Sequence, residues 1–424
     1  MNTKIINGKV LFFENEEVKL EDKDIYVKDD VISFVPFKDG EKYETVDAKR
    51  MLIMPGLINM HTHAYMTCMR NYADDVDFNE WLFNGVMPVE DRIPKEAAYW
   101  SSLLGFMEMI KTGTTSFVDM HMYHRQAPLA AKEAGMRGFI GRGLVGGSLY
   151  EEGNNRFKEA IEEMQEFKGD TLEFVLSPHA IYSASENLLK ETIEEAKKYN
   201  MLKQIHLSES VNEVETCIKE RGVSPVKYLY DMGFLDKRTI LAHCVHLSDE
   251  DIELLKKSGA TVVTNPASNA KLGNGFAPIK ALKDAGINLC IGTDGTASNN
   301  TLNMFREMGL LSLIHKGINE DSTSLPAKYV VKCATLNAAK ALDMEGKIGN
   351  IVEGAKADLI FVDLDAPSMF PNNNVLSSLC YSANGSEVKS VMINGKFVMK
   401  DNDILTIDKE RVYKEVSNVV KKYM

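Results

Sequence analysis

The sequence predicts an α/β fold: a (β/α)₈ barrel of the TIM type over residues 55–347, beside a small β-sandwich that residues 1–54 and 348–424 build together. Three observations predict it. Between residues 51 and 349 the chain repeats one unit, a short apolar run, a polar or glycine-containing loop and an amphipathic helix. Eight such runs occur, at 52–60, 115–120, 137–141, 172–176, 202–207, 239–244, 261–264 and 288–291. Both flanks read instead as short alternating segments.

Strands that alternate with helices pair in parallel through right-handed crossovers, and eight units suit a closed cylinder better than an open doubly wound sheet. The helical stretches 186–199, 249–257 and 278–285 lie between runs. In the first flank the segments 5–12, 25–27 and 31–34 are separated by Gly8, Asp29-Asp30 and Asp39-Gly40. The last flank repeats the style at 359–362 and 388–398, the latter broken by Asn394-Gly395, a type I′ hairpin signal. Neither flank holds enough apolar material for its own core, so the two ends are expected to pair.

Composition narrows the partners. The 424 residues are 44% hydrophobic and 26% charged, and no apolar run approaches the roughly 20 residues that cross a bilayer. No long apolar stretch follows Met1-Asn2-Thr3-Lys4 before a small-residue cleavage site, so a cytoplasmic protein is expected, without a membrane partner. Lys and Arg total 49 against 61 Asp and Glu, a net charge of −12, which disfavours nucleic acid. Six scattered cysteines without a C-x-x-C pair are expected to be buried thiols in a reducing compartment. They also exclude the cytidine-deaminase type of zinc site, which needs paired cysteine ligands.

Catalytic groups of a (β/α)₈ barrel come from the C-terminal ends of several strands. Seven of the nine histidines fall at or just past run ends: His61, His63, His121, His179, His206, His243 and His246. Arg142, Glu209, Asn265 and Asp294 do likewise. In His61-Thr62-His63 residues i and i+2 face one side of a strand, so both imidazoles can meet one ion. His206 and Asp294 would complete three nitrogens and a carboxylate with a place left for water, as a catalytic site requires. Glu209, three residues past His206, is placed to move that water's proton, and His243 to orient the water or stabilise the hydroxide. Plain alternatives stay open: hydrogen-bonded surface histidines for the pair, and an acid favouring the next helix for Glu209. His121, His124 and His246 are left without an assigned role, and His315, inside a helical stretch, is expected to be structural.

The segments Met54-Pro55-Gly56-Leu57-Ile58-Asn59-Met60-His61-Thr62-His63, His206-Leu207-Ser208-Glu209, Ala242-His243-Cys244-Val245-His246, Asn265-Pro266-Ala267-Ser268-Asn269 with Lys271-Leu272-Gly273-Asn274-Gly275, and Gly292-Thr293-Asp294-Gly295 together resemble the amidohydrolase superfamily. Within it the chain is similar to the 5′-methylthioadenosine/S-adenosylhomocysteine deaminases. That resemblance implies an enzyme that removes the 6-amino group of adenine in S-adenosylhomocysteine, 5′-methylthioadenosine and related nucleosides by a metal-activated water. His61, His63, His206 and Asp294 match the metal ligands, Glu209 the proton-shuttling acid, and His243 the residue beside the water. Glu90 matches the grip on the ribose hydroxyls, Arg142 the contact to the amino-acid carboxylate, and His179 a further substrate contact. Arg156 matches a second arginine, beyond a stretch, 146–155, that departs from the family pattern. The plain alternatives are a helix-capping acid for Glu90 and an ion pair at the barrel rim for Arg142.

The fourth run is followed by Ser177-Pro178-His179 and no lysine before Lys190, so the two-metal arrangement bridged by a modified lysine is not expected. One divalent ion per subunit is, with Zn²⁺ ahead of Fe²⁺, Mn²⁺ or Ni²⁺; homo-oligomerisation stays open. Two rival functions remain. The same barrel and metal could serve guanine, a pyrimidine, a chlorinated triazine or a cyclic amide, none of which needs Glu90 for a ribose. A non-catalytic scaffold is the other.

Overall fold

The apolar run at 52–60 forms two strands that serve different sheets. In the structure, a computed structural model that describes residues 2–424, Met51–Pro55 pairs antiparallel with Leu359–Asp363, whereas Leu57–Thr62 pairs in parallel with Thr114–His121. Gly56 permits the break. A Cβ there would lie 2.1 Å from the Thr115 side chain, so only a residue without one allows this crossing. Met1, the first residue of the expected sandwich, lies outside the described residues.

Leu57–Thr62 and Thr114–His121 begin an eight-stranded parallel sheet that continues through Arg137–Leu144, Leu172–Pro178, Leu202–Leu207, Thr239–His243, Thr261–Thr264 and Leu289–Ile291 in chain order. It curls into a nearly closed barrel with helices outside. The last strand meets the first at its C-terminal end, where the N–H groups of Thr293 and Asp294 donate to the His61 carbonyl at 3.1 and 2.9 Å. Closure thus sets Asp294 beside His61. Below that level one interior cluster takes buried apolar side chains from every strand, from Ile58 and Val118 round to Val263 and Cys290, and fills the cylinder as side-chain layers do in such barrels.

Both chain ends contribute to the remaining sheets. One has four strands; the other has seven and joins Lys9–Glu14 and Met51–Pro55 to Leu359–Asp363 and Val388–Ile393. Ile5, Val27, Ile53, Leu359 and Phe361 share a buried cluster, which is how flanks too small for separate cores acquire one. Between Val388–Ile393 and Lys396–Lys400 the turn residues Asn394 and Gly395 have φ of 50° and 74°, the left-handed pair that a type I′ turn needs. The chain ends differently from the alternating pattern expected: Lys409–Tyr423 is a helix that packs on Lys95–Lys111 with Val412, Val416 and Val419 buried. Its i, i+4, i+7 spacing was present in the sequence.

A buried ion pair joins barrel to sandwich. Arg137, at the start of the third barrel strand, donates to both carboxylate oxygens of Asp358 at 2.6 and 3.2 Å, the side chains being 4% and 2% exposed. Asp358 also accepts the Asn394 N–H at 2.7 Å. Arg137→Met leaves that carboxylate buried without its cation and is expected to cost about 3–5 kcal/mol of stability. Thermal unfolding measures it; the double variant Arg137→Met/Asp358→Leu should recover part of the loss, because neither charge is then stranded. All six cysteines are buried free thiols. Among the described residues, no helix is long and apolar enough to cross a membrane.

Candidate active site

Three barrel strands end in left-handed turns at residues that carry side chains. Ser208 has φ 50°, His243 75°, Cys244 49° and Asp294 61°. Such conformations cost on the order of 1–3 kcal/mol each and persist where surrounding structure over-determines them. Here the Cys244 N–H donates to Leu207 O at 2.9 Å and the Val245 N–H to Ser208 O at 3.0 Å, so the two strand ends lock each other.

Four of the sequence-predicted residues converge at this level. Asp294 Oδ1 lies 3.3 Å from His63 Nε2 and 3.7 Å from His61 Nε2, and His63 Nε2 lies 3.3 Å from His206 Nε2. Two groupings have ligand atoms mutually within 4.8 Å among the described residues, His61 with His206 and His243, and His61 with His63 and Asp294. The donor chemistry fits a cation. His63 and His206 each give Nδ1–H to a backbone carbonyl, of Met120 and His179, both at 2.7 Å. Each Nε2 therefore carries a lone pair, and two lone pairs facing across 3.3 Å cannot hydrogen-bond. Both ring nitrogens of buried His61 lack a partner as well. Burial holds His61 and His206 well below the usual histidine range, which keeps those nitrogens free to ligate. A divalent ion among these four groups would accept the facing lone pairs of His63 and His206 and occupy Nε2 of His61, which lies toward Asp294.

Glu209 and His243 stand next to that cluster. Glu209 is 6% exposed; burial, then the charge of Asp294, pushes its carboxyl up to about 8. Its Oε2 lies 3.7 Å from His243 Nε2. Glu209 and His243, together with His63, His206 and Asp294, line a cavity of about 780 Å³, whose apolar wall includes Phe78, Trp81, Leu82 and Met87. Glu90 also faces the cavity, with its carboxylate held by the Tyr65 hydroxyl and its backbone carbonyl by the Tyr123 hydroxyl at 2.7 Å. His179 lines the cavity too, hydrogen-bonded through Nδ1 to Ser183 Oγ at 2.8 Å and kept neutral by burial, which lowers it to about 4.

The two arginines part company. Arg156 lines the cavity and uses Nη1 only on Gly143 O at 3.1 Å and near Met122 Sδ at 3.3 Å. Arg142 does not reach the cavity: its Nε and Nη2 both donate to Glu159 Oε2, at 3.0 and 2.9 Å, and Nη1 to His121 O at 3.4 Å. An ion pair at the barrel rim describes its placement. Buried His121 is hydrogen-bonded to buried Glu163 at 3.1 Å and His124 lies 3.6 Å from Glu162, and neither lines the cavity. His246 keeps an unpartnered Nε2, and His315 is buried in Met304–Ile318.

Sequence reasoning missed the cavity wall and Tyr65. Aromatic residues in a helical segment look the same whether they face a core or a ligand, and no local signal could have separated them. Asn269 and Asn274 belong to segments that carry the family resemblance, which assigns them no role.

A profile of the Amidohydrolase family matches residues 52–398. The 5-methylthioadenosine/S-adenosylhomocysteine deaminase of Thermoanaerobacter pseudethanolicus is 41% identical over 426 residues, 99% of this chain and 99% of the relative. The 5′-deoxyadenosine deaminase of Methanocaldococcus jannaschii is 41% identical over 392 residues, 92% of this chain and 93% of its own. A crystal structure of an adenosine deaminase from Xanthomonas campestris with bound zinc superposes with a TM-score of 0.94 at 31% identity, covering 99% of this chain and 98% of that one.

Proposed function

The chain belongs to the amidohydrolase family, and from that premise we propose that it is a hydrolytic deaminase of adenosine-type nucleosides, S-adenosylhomocysteine and 5′-methylthioadenosine among them, releasing ammonia and the 6-oxo purine. The observation that carries the proposal is the convergence of a metal-ligand set with a buried carboxyl and a buried imidazole at one cavity.

We assign the ion to His61, His63, His206 and Asp294, with Zn²⁺, present in the Xanthomonas relative, ahead of Fe²⁺, Mn²⁺ or Ni²⁺. When bound, it supplies a water activated for attack at neutral pH. Glu209 gives its proton to purine N1 as C6 becomes tetrahedral. N1 gains basicity at that moment, so the transfer favours the transition state over bound substrate. For ammonia to leave, a proton must also reach the 6-amino nitrogen, and Glu209 Oε2 and His243 Nε2, 3.7 Å apart, are the groups able to carry it. Glu90 grips the ribose hydroxyls, its carboxylate steadied by Tyr65, and His179 packs beside the nucleoside. The apolar wall excludes water from the rest of the substrate.

A panel of adenosine, 5′-methylthioadenosine, 5′-deoxyadenosine and S-adenosylhomocysteine, followed by loss of the adenine ultraviolet band, tests the reading. Turnover of none of them by metal-loaded protein ends it. For a carboxylated 5′ tail we assign the direct contact to Arg156, which faces the cavity, and a supporting place to Arg142, whose guanidinium is already given to Glu159. A charge-assisted contact is worth roughly 1.5–3 kcal/mol, so Arg156→Met is expected to lower kcat/KM for S-adenosylhomocysteine about ten- to a hundredfold relative to 5′-methylthioadenosine. Arg142→Met should change that ratio less. Equal losses of Arg156→Met on both substrates would remove the assignment.

A further inference from the structure

The motif Asn265-Pro266-Ala267-Ser268-Asn269 with Lys271-Leu272-Gly273-Asn274-Gly275 has no part in the chemistry above, and none of its residues lines the cavity. Its side chains nevertheless end on the groups that do the chemistry. Asn269, 1% exposed, accepts the Nδ1–H of His243 on Oδ1 at 2.8 Å. An amide oxygen only accepts, so this contact puts the proton on Nδ1 and leaves the Nε2 lone pair facing Glu209. The other neighbour of Nδ1, Asn265 Nδ2, is farther away at 3.4 Å. Asn274 Nδ2 donates to Glu209 Oε1 at 3.0 Å, which stops the carboxyl from rotating and leaves Oε2 turned to His243.

The two contacts are mechanically one. Asn274 N–H donates to Asn269 O at 3.0 Å, and the turn between them runs through Gly273 at φ 67° and closes at Gly275 at φ 100°, a path that residues with side chains rarely adopt. Ser268 Oγ extends the same loop to Asp294 Oδ2 at 2.7 Å.

We infer that Asn269 and Asn274 are positioning residues: one short loop fixes the tautomer of His243 and the rotamer of Glu209 and thereby sets the geometry between them. The inference rests on the deaminase reading for its kinetic consequences but not for the tautomer. Outer groups that orient a site residue typically contribute 10–100-fold, so Asn269→Ala and Asn274→Ala are each expected to lower kcat by about that factor, with KM and metal content little changed.

Three measurements distinguish this from simple packing. Asn269→Asp keeps an acceptor and should restore most of the kcat lost in Asn269→Ala. In a Glu209→Gln background, Asn274→Ala should cost almost nothing further, because the group it orients has lost its proton function. Imidazole ¹⁵N shifts of the zinc-loaded protein should report His243 protonated at Nδ1 in the wild type and in Asn269→Asp, and a mixture of tautomers in Asn269→Ala. Wild-type protein that turns over no nucleoside would count against the proposed function alone, and the ¹⁵N shifts would still decide the inference. It is overturned if kcat is unchanged in both alanine variants, if Asn269→Asp is as impaired as Asn269→Ala, if Asn274→Ala costs the same factor with and without Glu209, or if His243 carries its proton on Nε2 in the wild type.

Discussion

Glu209→Gln is expected to lower kcat on 5′-methylthioadenosine by about 10²–10⁴-fold, the range that a positioned proton donor contributes. The amide matches the carboxyl in size and can still pair with Asn274, which donates to Oε1 at 3.0 Å, so the pocket should keep its shape. KM is expected to stay close to wild type and the metal content at about one ion per chain, since none of the four assigned ligands is touched. What disappears is the acid. Steady-state kinetics with elemental analysis of the same preparation checks the result, and a metal-replete Glu209→Gln protein with wild-type kcat would remove Glu209 from the mechanism.

Loss of a ligand should be more severe and should show first in the metal. His206 stands 3.3 Å from His63 across the cluster, its far nitrogen fixed on His179 O. His206→Ala takes away one of three nitrogens, and dialysed protein is expected to retain little metal. Activity should fall by about 10³-fold or more, since the water is no longer activated. Chelated wild-type protein should regain turnover when Zn²⁺ is returned, whereas His206→Ala should not. The thermal midpoint of chelated wild type should rise on adding the ion, because anything that binds only the folded state stabilises it. A variant that keeps both metal and turnover would show that His206 is not a ligand.

Burial of Glu209 and the closeness of His61, His63 and Asp294 bear on how readily such a site could be read in advance. Each of these residues sits at the end of a strand or just past it, and strand ends are marked locally by the switch from apolar runs to polar loops. The barrel then does the rest: eight parallel strands deliver their C-terminal ends to one rim, so residue type at that position is nearly a coordinate. His61 and Asp294, far apart in the chain, touch because the last strand hydrogen-bonds the first.

Partnership is another matter. The sequence by itself determined the order of the eight barrel strands, the chemical type of the groups at each strand end and the pairing expected of the two flanks, because these follow from periodicity, turn residues and spacing along the chain, while the identities of the motif residues carried the family resemblance. Only the tertiary structure decided that the run at 52–60 divides at Gly56 between two sheets, that Glu159 takes Arg142 while Arg156 faces the cavity, and that Asn274 reaches Glu209 from the loop after the helix Pro266–Lys271. Each is the outcome of a competition among side chains for one neighbour or one volume, and such competitions are settled by distance in space, which no local pattern records.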